Sequence, residues 1–140
     1  MEKEIIIVAK DFSEYPGPRY IQQGEFSGEE FYVNKLNPAF ADCVTNNKKL
    51  ELNLDSTAGF ATSFLDEALG ELVYDFSEQV VLDNLIIWSE EEPEWKEYME
   101  KETYPQWESR RLKGDNPKCS EKHIIYYLDS IDNKVKQKER

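Results

Sequence analysis

Between Lys49 and Tyr74 the spacing of apolar residues changes from a period of two to that of a helix, and this change constrains the fold more than any other feature. Lys49-Leu50-Glu51-Leu52-Asn53-Leu54 alternates polar and apolar residues, as a strand with one buried face does. Asp55-Ser56-Thr57-Ala58-Gly59 ends it in a loop of small residues. Phe64, Leu65, Ala68, Leu69, Leu72 and Val73 then form a wide apolar stripe at helical spacing, with Ser63 and Asp66 as a capping arrangement. A helix so apolar is expected to lie against a sheet.

The same signals recur along the chain. The β-branched run from Glu4 to Ala9 predicts a buried first strand, closed by Lys10 and Asp11. Pro16, Gly17 and Pro18 place a loop before the next helix, which Ser27 and Glu30 open as a capping box. Phe31, Val33, Leu36 and Phe40 are its candidate anchors, and Pro38 is expected to kink or divide it. A short helix capped by Ser77 and a strand over Leu85-Ile86-Ile87-Trp88 follow, and Glu90 to Glu94 then open a helix running towards Tyr104. Residues 105–117 break the pattern. In the last segment, Ser120 reads as a cap, and Ile124, Tyr127, Leu128, Ile131 and Val135 share one face of a helix of about five turns. The β-rich composition of His123 to Leu128 leaves a strand open there. The order of elements predicts an α/β fold, α+β being the alternative: a mixed sheet covered by helices over residues 4–100, with a helical C-terminal extension over 101–140.

Composition limits the function. The chain has 140 residues, one domain's worth. Its 17 basic and 29 acidic side chains give a formal charge of −12, a field that repels nucleic acid and anionic membranes and speeds encounter with a basic partner. The run Lys134, Lys136, Lys138 and Arg140 reads as a solvated helix end. Met1-Glu2-Lys3-Glu4 precedes only a short apolar run, so no signal peptide is expected, and no segment approaches the roughly 20 apolar residues of a membrane span. A cytoplasmic protein with two reduced thiols, Cys43 and Cys119, follows from this reading.

Chemistry-bearing residues are few. One histidine, His123, and two cysteines make no zinc set, so no metal or other cofactor is expected. Triads, phosphate-binding loops and dinucleotide fingerprints are absent, which argues against an enzyme. The acids Asp66, Glu67 and Glu90 to Glu102 read as a solvated face. Arg19, in its Pro-Gly-Pro-Arg setting, reads either as a clamp for an anion or as the partner of a surface acid. The junction from Asp55 to Glu67 is where open α/β folds place ligands, because unpaired amides converge at the helix start, and Thr62 and Ser63 stand at its mouth. Trp95, Tyr98, Tyr104, Trp107, Tyr126 and Tyr127 exceed what a small core needs and admit a homodimer or partner groove.

The segments Asp11-Phe-Ser-x-x-Pro-Gly-Pro-Arg19, Ser27-Gly-Glu-Glu-Phe31 and Ser63-Phe-Leu-Asp-Glu-Ala-Leu-Gly70 resemble the bacterial STAS-like domains of unknown function over about residues 4–100. The resemblance implies a fold related to anti-sigma-factor antagonists, whose junction serine is phosphorylated by an ATP-binding, kinase-like partner. By position Ser63 or Thr62 is then the phosphoacceptor, and Asp55, Ser56, Thr62, Ser63, Asp66, Glu67 and Arg19 form the partner-binding surface. Where the antagonists carry Asp-Ser-Ser-Gly, this chain has Ala61-Thr62-Ser63-Phe64, and a phosphate on Ser63 meets Asp66 and Glu67 within one turn. The leading expectation is a regulatory protein-binding module. The alternatives are an acidic antitoxin or nucleic-acid-mimicking inhibitor and, further off, a small hydrolase using Arg19, Asp55, Ser63 and Glu67.

Overall fold

In the computed structural model, residues 3–140 are described; Met1 and Glu2, part of the segment read against a signal peptide, lie outside them. Three parallel strands, β1 (Lys3–Ile7), β2 (Lys49–Asn53) and β3 (Leu85–Trp88), form a sheet in chain order with β2 at the centre. Ile6, Leu50, Leu52, Leu85 and Ile87 point to one face and enter the core, as the period-two pattern requires. The first crossover holds α1 (Val8–Asp11), a 3₁₀ turn (Ile21–Gln23), α2 (Gly28–Phe31) and α3 (Asn37–Thr45); the second holds α4 (Thr62–Phe76) and α5 (Glu78–Asn84). This is the expected α/β fold. Parallel and antiparallel pairing are both present, but in two separate sheets rather than one mixed sheet.

The helix signals act as the side-chain chemistry dictates. Ser27 Oγ accepts from the Glu30 amide at 3.0 Å and Ser77 Oγ from the Val80 amide at 3.3 Å, each supplying an acceptor for an orphan donor. Pro38 divides its helix in a specific way. A π-turn over Tyr32–Leu36 precedes it, and the Asn37 amide bonds back five residues to the Tyr32 carbonyl. The same device precedes Pro105, where a π-turn over Met99–Thr103 joins α6 (Glu94–Tyr98) to α7 (Tyr104–Lys113). A proline lacks the amide that continues the ladder, and the widened turn before it absorbs the mismatch. The chain after 105 is therefore helical, where sequence pattern predicts a break: Pro105 stands at a helix start, and Gly114 at φ 73° ends the helix in the left-handed region.

The C-terminal segment is not a helix. Residues Ile124–Asp129 (β4) and Lys134–Glu139 (β5) form an antiparallel hairpin, so the β-branched and aromatic composition wins over the helical spacing. Alternation decides the faces, since Ile125 is 1% exposed and Ile124 59%. Ile131, assigned by spacing to a buried stripe, is 94% exposed at the turn. Asn37 pins the hairpin to α3, its Nδ2 donating to the Tyr126 carbonyl at 2.9 Å and its Oδ1 accepting from the Tyr126 amide at 2.8 Å. Tyr104, Trp107 and Ile125 join the same core cluster as the sheet.

Candidate functional site

The loop between β2 and α4 is tied to the loop that leaves β3. Asp55 accepts from the amides of Glu90 at 3.1 Å and Glu91 at 2.9 Å, and the Ser56 amide donates to Glu91 at 2.7 Å. Asp55 and Ser56 thus brace two loops at the C-terminal edge of the sheet. Helix α4 begins without a side-chain cap. Its N-cap position is Ala61, so Ser63 does not cap the helix as its spacing with Asp66 predicts; Thr62 and Ser63 are its first two residues. Thr62 is exposed and Ser63 half-buried, and among the described residues neither hydroxyl has a hydrogen-bond partner.

Arg19 resolves to an ion pair. Its Nη1 donates to Asp66 at 2.7 Å and to Glu67 at 3.2 Å, while Trp107 Nε1 holds the other Asp66 oxygen at 3.1 Å. The expected surface residues therefore fall into two groups: Asp55 and Ser56 on the loop brace, and Arg19, Asp66 and Glu67 beside the start of α4, with Thr62 and Ser63 on its first turn. Of the residues named for a hydrolase, Arg19 and Glu67 are brought together, while Asp55 accepts from the Glu90 and Glu91 amides. Aromatic residues flank the junction where sequence reading placed only turns. Phe12 packs edge-on against Phe26 at 5.6 Å and lies 6.2 Å from Phe64, and Phe60 lies 5.6 Å from Phe64. Tyr15 is 69% exposed on the adjoining loop, which the Ala58 amide holds through the Glu14 carbonyl.

Behind the junction runs a buried charged network that sequence reading missed. Glu67, Glu71 and Asp75 lie four residues apart on α4, all buried. Arg140 reaches Glu71 at 2.8 Å and Asp75 at 2.5 Å, and Asp75 also takes the Tyr32 hydroxyl, on which Asn37 donates at 3.0 Å. The run of C-terminal cations is thus no solvated helix end at Arg140. Burial and then the neighbouring Glu67 push the Glu71 carboxyl well above the usual carboxylate range. Burial also raises Glu67, against bonds to Glu71 and Arg19 that lower it. The second oxygens of Glu67 and Glu71 have no hydrogen-bond partner among the described residues. His123 Nε2 meets Glu29 at 2.7 Å, and Glu29 also accepts from the Ile21 and Ser120 amides. Burial raises Glu29, but these bonds together hold it below its ordinary value. Ser120, expected to cap a helix, anchors this network instead. Glu67, which the sequence places among solvated acids, is instead 1% exposed, because buried apolar residues flank the strip along α4.

Cys43 and Cys119 are free thiols, and burial first, then acids beside each, pushes both up to about 11, which keeps them protonated and unreactive. Among the described residues no group of histidines, cysteines and carboxylates is arranged to hold a metal ion, and no helix is long and apolar enough to cross a membrane.

A small parallel sheet backed by helices, with an uncapped helix start at its C-terminal edge, defines an α/β domain whose exposed chemistry gathers at the β2–α4 junction. Residues 27–95 match the family described as a STAS-like domain of unknown function (DUF4325). The matched segment runs from the Ser27 cap through the junction and β3 to Trp95. No curated protein and no solved structure matches the chain.

Proposed function

We propose that the protein is a regulatory binding module, not an enzyme, that docks an ATP-binding, kinase-like partner through the β2–α4 junction and is switched by phosphorylation of Thr62 or Ser63. The observation that carries this reading is that both hydroxyls are unbonded on the first turn of an uncapped helix, Thr62 being exposed. A phosphate there meets free amides and the positive end of a four-turn helix. The repulsion expected from Asp66 and Glu67 is reduced, because Arg19 already neutralises part of that charge. The exposed rings of Tyr15 and Phe26 border the same surface and give a partner apolar contact next to the switch.

The test is affinity capture with the wild-type protein and with Ser63→Asp and Thr62→Asp, read by mass spectrometry for partners and for phosphate on either hydroxyl. Capture of an ATP-binding protein that a mimic variant loses is the expected result. Capture of a basic nuclease or toxin, indifferent to both variants and lost when the acids of α6 are neutralised, replaces the switch with an acidic inhibitor. An intact mass unchanged by the captured partner and ATP removes phosphorylation from the reading.

A further inference from the structure

The hairpin β4–β5 has one sealed edge and one open edge. His123 and Arg140 exchange both backbone bonds, at 2.6 and 2.7 Å, so the pairs that bond across the ladder are every second one from there, Ile125 with Lys138 and Tyr127 with Lys136. The residues between them turn their amides and carbonyls outward. On β4 the outward amide and carbonyl of Tyr126 are both taken by Asn37. On β5 the outward residues are Val135, Gln137 and Glu139, and among the described residues no neighbour bonds to their backbone on that side. Gln137 and Glu139 are exposed and Val135 is half-buried.

We propose that β5 takes an extended segment of a partner protein as a third strand, a segment that alternates apolar and acidic residues. A row of unpaired amides and carbonyls fits another strand and no helix, because only an extended backbone matches its two-residue repeat. Side chains select the sequence. Lys134, Lys136 and Lys138 stand on one face of β5, so a strand laid beside it meets three lysines in a row, and cross-strand pairing favours acids there. Lys136 already meets Asp129 at 2.7 Å and Asp132 at 2.9 Å, and Lys138 lies over the Tyr127 ring at 4.6 Å, but among the described residues neither Lys134 nor Lys138 has a carboxylate partner. Glu139, the one acid of the strand, is on the other face and pairs with Lys122 at 3.2 Å. That face is apolar at Val135, where two cavities of about 180 and 330 Å³ open, both lined by Thr45 and Val135. Apolar side chains at alternate positions of the segment fall on this side. A second copy is disfavoured, since two β5 strands laid edge to edge set one lysine row against the other. The hairpin lies beyond the matched residues 27–95 and uses neither Thr62 nor Ser63, so this surface stands whether or not the junction is a switch.

The experiment titrates the full chain with a peptide of about eight residues alternating valine and glutamate, and follows the backbone amides by NMR and hydrogen exchange. A valine and lysine peptide serves as comparison, as do two valine and glutamate peptides, one N-methylated at its valines and one at its glutamates. Saturable shifts and new protection of the Val135 and Gln137 amides are expected, with binding at least about tenfold weaker for the lysine peptide. One methylated peptide should lose binding and the other keep it, because a strand bonds through one edge only. Gln137→Pro removes an outward amide and no bond to β4, an exchange that an edge strand tolerates, so it should weaken binding with the melting midpoint unchanged. Lys134→Glu with Lys138→Glu, at two exposed positions, should turn the preference towards the lysine peptide. Equal binding by the lysine peptide, the same effect of both methylations, or no protection of Val135 and Gln137 at about millimolar peptide overturns the proposal. Self-association in sedimentation that protects the same amides overturns it in favour of a second copy.

Discussion

Gly70 shows how much one missing methyl group sets. A Cβ there falls 2.1 Å from Cε2 of Trp107 and 2.2 Å from its Nε1, far inside van der Waals contact. The indole is 3% exposed, bonded to Asp66 and stacked beneath the Arg110 guanidinium at 4.1 Å, so it has no free direction in which to move. Gly70→Ala is expected to cost about 1–3 kcal/mol through overpacking, read as a lower urea midpoint with a red-shifted tryptophan emission. An unchanged midpoint would show that α4 and α7 have slack between them. Because Trp107 also holds Asp66, the substitution loosens the acid beside Thr62 and Ser63, linking core packing to the candidate site.

At the scale of elements, the hairpin β4–β5 owes its place to a few polar contacts as much as to apolar burial. Asn37 imitates a neighbouring strand, exchanging two bonds with Tyr126, and also donates to Tyr32. Its side chain is 1% exposed, so no water stands ready to replace it. Asn37→Ala is expected to destabilise the protein by about 1–3 kcal/mol, because the backbone amide and carbonyl of half-buried Tyr126 lose their partner. Hydrogen exchange should find the Tyr126 amide losing protection before the amides of β2; equal protection in the variant would show that the hairpin is held by its apolar contacts alone. The π-turns before Pro38 and Pro105 work on the same scale. They allow a proline inside a helical run: at Pro38 the helix takes the division expected of it, and at Pro105 it continues where a local reading ends it.

For the whole molecule, the buried charges set the dependence of stability on pH. Glu71 has a raised carboxyl pKa in the folded state, so folding takes up a proton; its contribution is full below the ordinary carboxylate value and is lost as pH rises through the raised one. Glu29 is lowered, and its contribution is present above the ordinary value and lost as pH falls through the lowered one. Stability is thus expected to decline on both sides of a maximum. Glu71→Gln replaces a carboxyl that burial drives towards its neutral form with a neutral isostere that still accepts from Arg140. It should leave the urea midpoint within about 1 kcal/mol near neutrality and flatten the alkaline limb of the profile while sparing the acid limb. A profile identical to wild type on the alkaline side would mean that another group carries the alkaline dependence.

The sequence by itself determined the three strands, the caps at Ser27 and Ser77, the long helix after β2 and the acidic charge, because each is written in local spacing and in side chains that act on their own backbone. It also placed Thr62 and Ser63 at a helix start and carried the family resemblance. Only the tertiary structure decided the rest. Whether His123 to Leu128 is helix or strand depends on Asn37, some ninety residues away, offering it an edge to pair with. Whether Arg19 clamps a ligand depends on Asp66 and Glu67 reaching it first, and whether Arg140 is solvated depends on the hairpin folding it over Glu71 and Asp75.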